Sequence, residues 1–154
     1  MNDDIEQRLK TLGIELPSAP TPVANYVPTI ISLNVLYVSG QIARAADGTL
    51  LTGCVGEDLT VEEGQAAARL CALNILAQAK SALGSLNRIS QVLRINGYVH
   101  SHAGFADQPK VINGASDLLV QILNEKGRHT RAAIGVSGLP GNSAVEIDAI
   151  IAIR

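Results

Sequence analysis

The sequence is poor in aromatic residues and in charge. Tryptophan is absent, aromatic residues make up 3% of the 154 residues, and charged residues make up 17%. Proteins that bind nucleic acid through its phosphates usually have a basic face, and single strands are commonly stacked on aromatic side chains. With a formal net charge of −2, the composition argues against RNA as the main partner.

Cysteine and long apolar runs are also scarce. The two cysteines, Cys54 and Cys71, lack the spacing of metal ligands, and a small secreted protein built on disulfides would contain more of them. No apolar run reaches the roughly 18 to 20 residues that a membrane span requires, and an N-terminus with Asp3 and Asp4 is unlike a signal peptide. We therefore expect a cytoplasmic chain with reduced cysteines and no membrane span.

Aliphatic and small residues are abundant, because 47% of the residues are hydrophobic. A chain of this length corresponds to about one domain and can bury a core of its own. So little charge leaves few polar side chains to cover the surface of a monomer. We therefore expect a single domain whose remaining apolar surface is buried against other subunits.

Three helices are predicted. The first is short and amphipathic and leads into a proline-rich linker, and the two long ones are expected at residues 60–84 and 107–127. Thr60 and Glu63 have the spacing of a capping box, Gly84 is a helix stop, and Pro109 suits a first helical turn. The cations of the segment 126–131 are expected to complement the dipole at the end of the last helix.

Strands rich in Val, Ile and Tyr lie between these helices. They are predicted at residues 25–32, 34–42 and 90–101, with two more in 131–154. The order α-β-β-α-β-α-β-β predicts an α+β sandwich with the two long helices on one face of a mixed sheet.

The closing stretch "RAAIGVSGLPGNSAVEIDAIIAIR" suggests two strands joined by a tight turn. In the last strand the odd-numbered residues from Val145 to Ile153 are all apolar, and we expect them to face the helices. The opposite face, which begins with Glu146, is only half polar. We therefore expect a homo-oligomer whose sheets face one another, with Arg131 and Glu146 as the few charged groups in that interface.

Several of these segments together resemble the RidA/YjgF family of reactive-intermediate deaminases, some of which carry the older description L-PSP endoribonuclease. The resemblance runs from about residue 22. It rests on Tyr26 in "NYVP", "VSGQI" at 38–42, the long helix after a Gly-rich loop, "VLRINGYV" at 92–99 and, above all, the closing stretch.

The resemblance implies a chorismate-mutase-like α+β subunit at residues 17–154, with residues 1–16 as an extra N-terminal helix and linker. It also implies a homotrimer whose sheets form a central barrel, with ligand clefts between neighbouring subunits. Family members of the deaminase type hydrolyse 2-imino acids, formed from enamines such as 2-aminoacrylate, to 2-keto acids and ammonia. They use no metal and no organic cofactor.

The resemblance also implies roles for individual residues. Arg131 is the expected anchor for the substrate carboxylate, because a guanidinium binds a carboxylate bidentately. Glu146 is expected to hold or activate the attacking water. The remaining implied site positions are Gly40 and Ala133, through their backbone groups, and Tyr26 and Asn113, through their side chains.

Departures from the family pattern keep other functions open. Ala133 stands where the family commonly has cysteine, and Asn25 precedes Tyr26 where the family typically has proline. A non-catalytic trimer that binds a small carboxylate or a protein partner in the same cleft is therefore the alternative. RNA cleavage, suggested by the older family description, comes third.

Two other patterns predict no chemistry. His100 and His102 lie two residues apart on one strand, as metal ligands sometimes do, but no third ligand has a suitable spacing. We expect them to be polar residues at a strand end. Ser39 in "VSGQI" lacks the G-x-S-x-G elbow of a serine hydrolase.

Overall fold

A computed structural model describes residues 4–154. Asp3, one of the two acidic residues noted at the N-terminus, lies outside the described residues. The helices are α1 (Ile5–Leu12), α2 (Val61–Leu83) and α3 (Gln108–Leu123). The strands are β1 (Thr29–Ser32), β2 (Val35–Ile42), β3 (Ile89–His100), β4 (Thr130–Val136) and β5 (Val145–Ile153). The predicted order of elements is confirmed.

The helices begin and end where the local signals placed them. The Thr60 hydroxyl accepts a hydrogen bond from the Glu63 backbone N–H at 3.1 Å and so caps α2. Gly84 ends α2 in the left-handed conformation, with a φ of 78° that favours glycine. After α3 the chain continues through a 3-10 turn, Asn124–Gly127, so that Gly127 closes the helical region as predicted.

The five strands form one sheet in the order β1-β2-β5-β3-β4. β3 and β4 are parallel and joined by α3, whereas the other neighbours are antiparallel, so the predicted mixed sheet is confirmed. The expectation of a closing hairpin is wrong, because β3 lies between β4 and β5. The segment 137–144 therefore crosses from one side of β3 to the other instead of making a tight turn.

The first strand is shorter than predicted. β1 begins at Thr29, so Tyr26 and Pro28 precede it. A proline has no N–H for the ladder, which fits its place just outside a strand at the edge of the sheet. Tyr26 consequently lies in a bent segment before the strand, where its N–H donates to the Ala24 carbonyl at 2.9 Å, and it is 53% exposed.

Helices α2 and α3 both cover one face of the sheet. The odd-numbered residues of β5 are buried beneath them, as the alternation predicted. Each such fully buried aliphatic side chain contributes about 1.5–3 kcal/mol of hydrophobic free energy. Cys71, on α2, is completely buried in this core, and neither it nor Cys54 forms a disulfide among the described residues.

The two helices are packed unusually closely at one glycine. A Cβ added to Gly114 of α3 would overlap the backbone carbonyl of Gln65 on α2 and lie 2.9 Å from its Cα. The Gln65 amide also donates to the Lys110 carbonyl across the same contact at 2.9 Å. Only a residue without a side chain allows this separation between the helix axes.

No helix within residues 4–154 covers the opposite face of the sheet. We call this uncovered face the open face. Part of one row of side chains across it is apolar, because Ile30 lies beside Tyr37 and Tyr37 beside Ile150, and the same row continues to Arg94 on β3. Ile30 is 56% exposed and Tyr37 46% exposed. Neighbouring rows contain Asp148 and Glu146. No helix within residues 4–154 is both long and apolar enough to cross a membrane.

We predict that Gly114→Ala destabilises the chain by about 3 kcal/mol, because backbone atoms of Gln65 must move to admit a methyl group. In a protein of this length this corresponds to a fall in Tm of about 10 °C. The matched control is Gly138→Ala, since a Cβ there meets nothing within 4 Å. Equal Tm values for the two variants in thermal unfolding would contradict the close contact.

Candidate functional site

A cleft of about 220 Å³ opens beside β2 and the start of β5. It brings together Tyr26, Gly40 and Glu146, three of the six predicted site residues. One wall is the proline-rich segment before β1, and the base is polar. The other lining residues are Pro20, Thr21, Pro22, Val23, Pro28, Gln41, Ile42, Arg44, Gln78 and Pro140.

Gly40 places the Glu146 carboxyl group at the cleft. β2 has a bulge between Val38 and Gln41, where its pairing with β5 shifts register. A Cβ on Gly40 would lie 3.0 Å from both Cδ and Oε1 of Glu146. The glycine therefore allows the carboxyl group to lie against the backbone of β2. This differs from the role expected from the resemblance, in which the backbone groups of Gly40 contact a substrate.

Two buried amides form the base of the cleft. Gln41 is 7% exposed and Gln78, on α2, is 3% exposed. The Gln78 amide donates to the Pro20 carbonyl at 2.7 Å and to Gln41 Oε1 at 3.5 Å. This pair ties the proline-rich wall to α2 and so gives the cleft a defined shape.

Burial and a neighbouring charge act on Glu146 in the same direction. Partial burial raises the pKa of Glu146, and the negative charge of Asp148, two residues along the same face of β5, raises that pKa further. No cation among the described residues offsets these effects on its pKa. Protonated Glu146 therefore loses its proton at a higher pH than an exposed glutamate would.

Asp148 itself is held by β3. The Tyr98 hydroxyl donates to one carboxylate oxygen at 3.1 Å, and the Asn96 amide donates to the other at 2.8 Å. Arg94 in turn donates to Asn96 at 2.9 Å. Burial and the Asp148 charge raise the pKa of Tyr98, so its hydroxyl stays a donor. These bonds fix the position of the Asp148 carboxylate beside Glu146.

Arg131 lies on the other side of the sheet. On β4 it is level with the buried Ile95, and its guanidinium donates to the Ser116 hydroxyl at 3.1 Å and to the Pro109 carbonyl at 3.2 Å, both on α3. Asn113 lies one helical turn from each of these two α3 residues and therefore shares their face.

Ala133 lies two residues beyond Arg131 on β4, on the same side of the strand. It is level with Gly97 and packs against the core. The predicted site residues thus fall into two groups, which we call the carboxylate half (Tyr26, Gly40 and Glu146) and the guanidinium half (Asn113, Arg131 and Ala133).

The two halves do not meet within one chain. Arg131 points to the helix-covered face and Glu146 to the open face, and β3 separates their strands. Strands two places apart in a sheet are about 9–10 Å apart. The expectation that both charges share one face of the sheet is therefore wrong, because the register of β4 on β3 places Arg131 level with the buried Ile95, on the face that α3 covers.

Two residues near Arg131 were missed by the sequence analysis. Ser116 and His129 contact each other, with 2.9 Å between Ser116 Oγ and His129 Nε2. His129 belongs to the cationic segment for which only a dipole effect was expected. The spacing of Ser116, seven residues after Pro109 on one helix face, was the available signal.

The histidine pair of β3 separates as the chain leaves the strand. His100 ends β3, whereas His102 lies beyond it, with 2.8 Å between its Nδ1 and the Ala103 carbonyl. Within residues 4–154 no group of three or more His, Cys, Asp or Glu side chains is arranged to hold a metal ion.

The fold and the order of the sequence segments quoted above agree with a known family. A family model described as "YjgF/chorismate_mutase-like, putative endoribonuclease" matches residues 6–151. The chain therefore belongs to the YjgF/chorismate-mutase-like family. The resemblance inferred from the closing stretch and the other quoted segments is confirmed.

Three proteins are similar to this chain over nearly its whole length. Protein TCP17 of Trypanosoma cruzi is 45% identical over 97% of this chain and 94% of its own length. The crystal structure of Atu1372 from Agrobacterium tumefaciens, a protein of unknown function, has a TM-score of 0.89 and 52% identity, covering 99% and 95% of the two chains. A 2-iminobutanoate/2-iminopropanoate deaminase of Dermatophagoides farinae is 27% identical over 92% of this chain and 95% of its own.

We predict that Glu146→Gln stabilises the protein at neutral pH by less than about 1 kcal/mol, since the group is only half-buried. The folded-state pKa is raised, so protonated Glu146 favours folding at low pH and this contribution is lost as pH rises through that pKa. The gain should therefore vanish towards pH 4. Urea unfolding of both forms at one protein concentration measures it.

The control for this comparison is Glu62→Gln, which removes an exposed carboxylate from the first turn of α2. Its effect should be neutral or slightly destabilising at neutral pH, because a negative charge is favourable at a helix N-terminus. A Glu146→Gln protein less stable than the wild type at pH 7.5 would reveal a stabilising partner of the carboxylate.

Proposed function

We propose that the chain is a hydrolytic deaminase of 2-imino acids, which it converts to 2-keto acids and ammonia in clefts between subunits of a homotrimer. The observation that carries this proposal is the half-buried Glu146 carboxyl group, which lies in a cleft, has a raised pKa and has no cation to offset that shift among the described residues. The relative from Dermatophagoides farinae, named as a deaminase of 2-iminobutanoate and 2-iminopropanoate, supports the same chemistry.

A carboxyl group with a raised pKa suits the proton transfers of this reaction. Ionised Glu146 accepts a proton from water as the water oxygen bonds to the electrophilic imine carbon. The protonated group gives this proton to the nitrogen, which leaves a tetrahedral intermediate with one hydroxyl and one amino group. Glu146 then transfers the hydroxyl proton to the same nitrogen, the C–N bond breaks, and ammonia leaves as the carbonyl forms. Water and imine are consumed and keto acid and ammonia are produced, so the Glu146 carboxylate is regenerated.

The separation of the two halves supports a site made by two copies of the chain. A 2-imino acid spans only a few ångströms from its carboxylate to its imine carbon, less than the distance between two strands separated by a third. Arg131 and Glu146 of one chain also lie on opposite faces of the sheet. A substrate that uses both must therefore take Glu146 from one copy and Arg131 from its neighbour.

The open face supplies a surface for such an assembly. Its apolar row leaves Ile30 and Tyr37 about half exposed, although apolar side chains of this size are usually buried. Packing of three open faces around a common axis would bury that row and bring the edge strand of one copy beside the cleft of the next. A closed cyclic trimer uses the same heterologous contact three times.

We predict that the wild type accelerates keto-acid formation from 2-aminoacrylate generated by a PLP-dependent dehydratase. Glu146→Gln should lose roughly 10²- to 10⁴-fold of that acceleration, as is usual when a general base is removed. Arg131→Lys should lower kcat/KM by at least about tenfold, because lysine cannot form the bidentate pair. Formation of the keto acid is followed against the spontaneous rate.

The matched controls are exposed residues of the same types, Glu62→Gln and Arg128→Ala. Arg128 pairs with Glu125 at 3.0 Å on the surface and lies close to Arg131 in sequence. Both controls should retain the wild-type rate. Equal acceleration by the wild type and Glu146→Gln would exclude Glu146 as the catalytic residue.

A mixture of two inactive variants should regain activity if each site takes its two halves from different copies. Arg131→Ala subunits keep the carboxylate half, and Glu146→Gln subunits keep the guanidinium half. Random co-assembly into cyclic trimers gives one intact site in every mixed trimer, or about a quarter of the wild-type sites. The rate after co-expression measures this fraction, and no recovery in purified mixed trimers would place both residues in one subunit's site.

A non-catalytic carboxylate-binding trimer is the second candidate, and Ala133 is the observation that favours it. Its methyl group packs against the core and provides no thiol where the family commonly has one. Calorimetry showing Arg131-dependent binding of pyruvate, together with no turnover of 2-aminoacrylate, would favour this candidate over the enzyme.

RNA cleavage, which the description of the family model mentions, has less support. Among the rows of the open face the acidic residues Glu146 and Asp148 outnumber Arg94, and the chain carries a net charge of −2. Phosphate binding requires the opposite sign. A ribonuclease activity that co-purifies with the protein and is lost in Glu146→Gln would favour RNA cleavage over the other two candidate functions.

A further inference from the structure

The guanidinium of Arg131 does not project freely from the edge strand. Two of its N–H groups are used by α3, one on the Ser116 hydroxyl at 3.1 Å and one on the Pro109 carbonyl at 3.2 Å. A guanidinium has five N–H donors, so three remain for another acceptor. The two bonds to α3 restrict the direction in which those three can point.

Ser116 is itself held by His129. Its hydroxyl oxygen lies 2.9 Å from Nε2 of the imidazole, and Nδ1 of the same ring lies 2.6 Å from the Gly127 carbonyl oxygen. Because a carbonyl oxygen can only accept, Nδ1 must carry the proton. Burial lowers the pKa of His129, which favours the neutral ring, and Nε2 is then an acceptor.

With a neutral His129 ring, the bonds that join Arg131, Ser116 and His129 have only one possible set of directions. The arginine donates to the serine oxygen, the serine hydroxyl donates to Nε2, and Nδ1 donates to the Gly127 carbonyl. The chain of bonds crosses from β4 to α3 and back to the turn before β4. It therefore couples the side chain of an edge strand to the helix layer.

We propose that Ser116 and His129 are positioning residues that orient the Arg131 guanidinium for a substrate carboxylate. This rests on the proposed function, in which Arg131 is the carboxylate anchor. An arginine side chain that is free in solution samples many rotamers, and fixing it in one rotamer on binding costs conformational entropy. Bonds that hold the guanidinium beforehand remove that cost, which is the basis of preorganised binding.

The charge that shifts the pKa of His129 is Arg131, from β4, and it acts in the same direction as burial. The groups that face the ring from α3 and from the turn before β4 are the neutral Ser116 hydroxyl and Gly127 carbonyl. If His129 becomes protonated, Nε2 turns into a donor, and the Ser116 hydroxyl loses its acceptor. A carboxylate bound to Arg131 should offset its charge and so raise the pKa of His129.

The decisive experiment measures binding of pyruvate, a keto acid that the proposed reaction would release, by calorimetry to the wild type and four variants. Ser116→Ala, which removes a single oxygen atom, and His129→Ala should each raise the Kd about tenfold, as loss of one hydrogen bond to a charged group would. Ser116→Thr, which keeps the hydroxyl, should restore Kd to within about threefold. Arg128→Ala, the neighbouring exposed cation, should bind as the wild type does.

Two further readouts separate positioning from a merely structural role. In turnover of 2-aminoacrylate, Ser116→Ala should raise KM while leaving kcat within about threefold, because the lost interaction serves binding. In ¹⁵N–¹H spectra of the imidazoles, His129 of the wild type should carry its proton on Nδ1. Saturating pyruvate should raise the pKa of His129 in the wild type.

The outcomes are distinguishable from failure of the proposed function. Arg131-dependent binding of pyruvate that Ser116→Ala leaves unchanged overturns this inference alone, as does a neutral His129 protonated on Nε2. Absence of pyruvate binding in the wild type overturns both the inference and the anchor role of Arg131. Binding with the expected Kd series but without turnover supports the positioning role and overturns the deaminase.

Discussion

The close contact of α2 with α3 is the constraint on which the rest of the structure depends. Because Gly114 lets the backbone of one helix touch that of the other at Gln65, both long helices fit side by side on a single face of a five-strand sheet. The core therefore forms on that side, and the other face is left without a cover. The apolar row through Ile30, Tyr37 and Ile150 lies on this uncovered face, where the proposed trimer would bury it.

The position of β3 sets the second constraint. By pairing with β5 on one side and β4 on the other, it places Glu146 and Arg131 on strands that never touch. The register of β4 on β3 also directs Arg131 towards α3, to which it donates hydrogen bonds, whereas Glu146 faces the open side beside the cleft. A function that needs both charges thus depends on assembly, and the same sheet that buries the core also divides the site.

The two halves of the site are prepared by opposite means. The carboxylate half uses partial burial and the Asp148 charge to keep a proton close to Glu146. In the guanidinium half, Arg131 donates hydrogen bonds to α3. Because an arginine is always charged, only the direction of its guanidinium can be adjusted. In the proposed reaction, proton transfer depends on the pKa of Glu146 and carboxylate binding depends on the direction of the Arg131 guanidinium, so each half has the property that the proposal requires of it.

The sequence by itself determined the order of elements, the ends of α2 at Thr60 and Gly84, the buried face of β5 and the family. These depend on capping, hydrophobic periodicity and local spacing, which a single chain segment carries in full. The resemblance to the family implied six candidate residues, but not their division into two halves. That division, the insertion of β3 between the last two strands, and the contact of Ser116 with His129 were decided only by the tertiary structure. Strand order and sheet face arise from pairing between distant segments, and no local pattern specifies which segment becomes the neighbour.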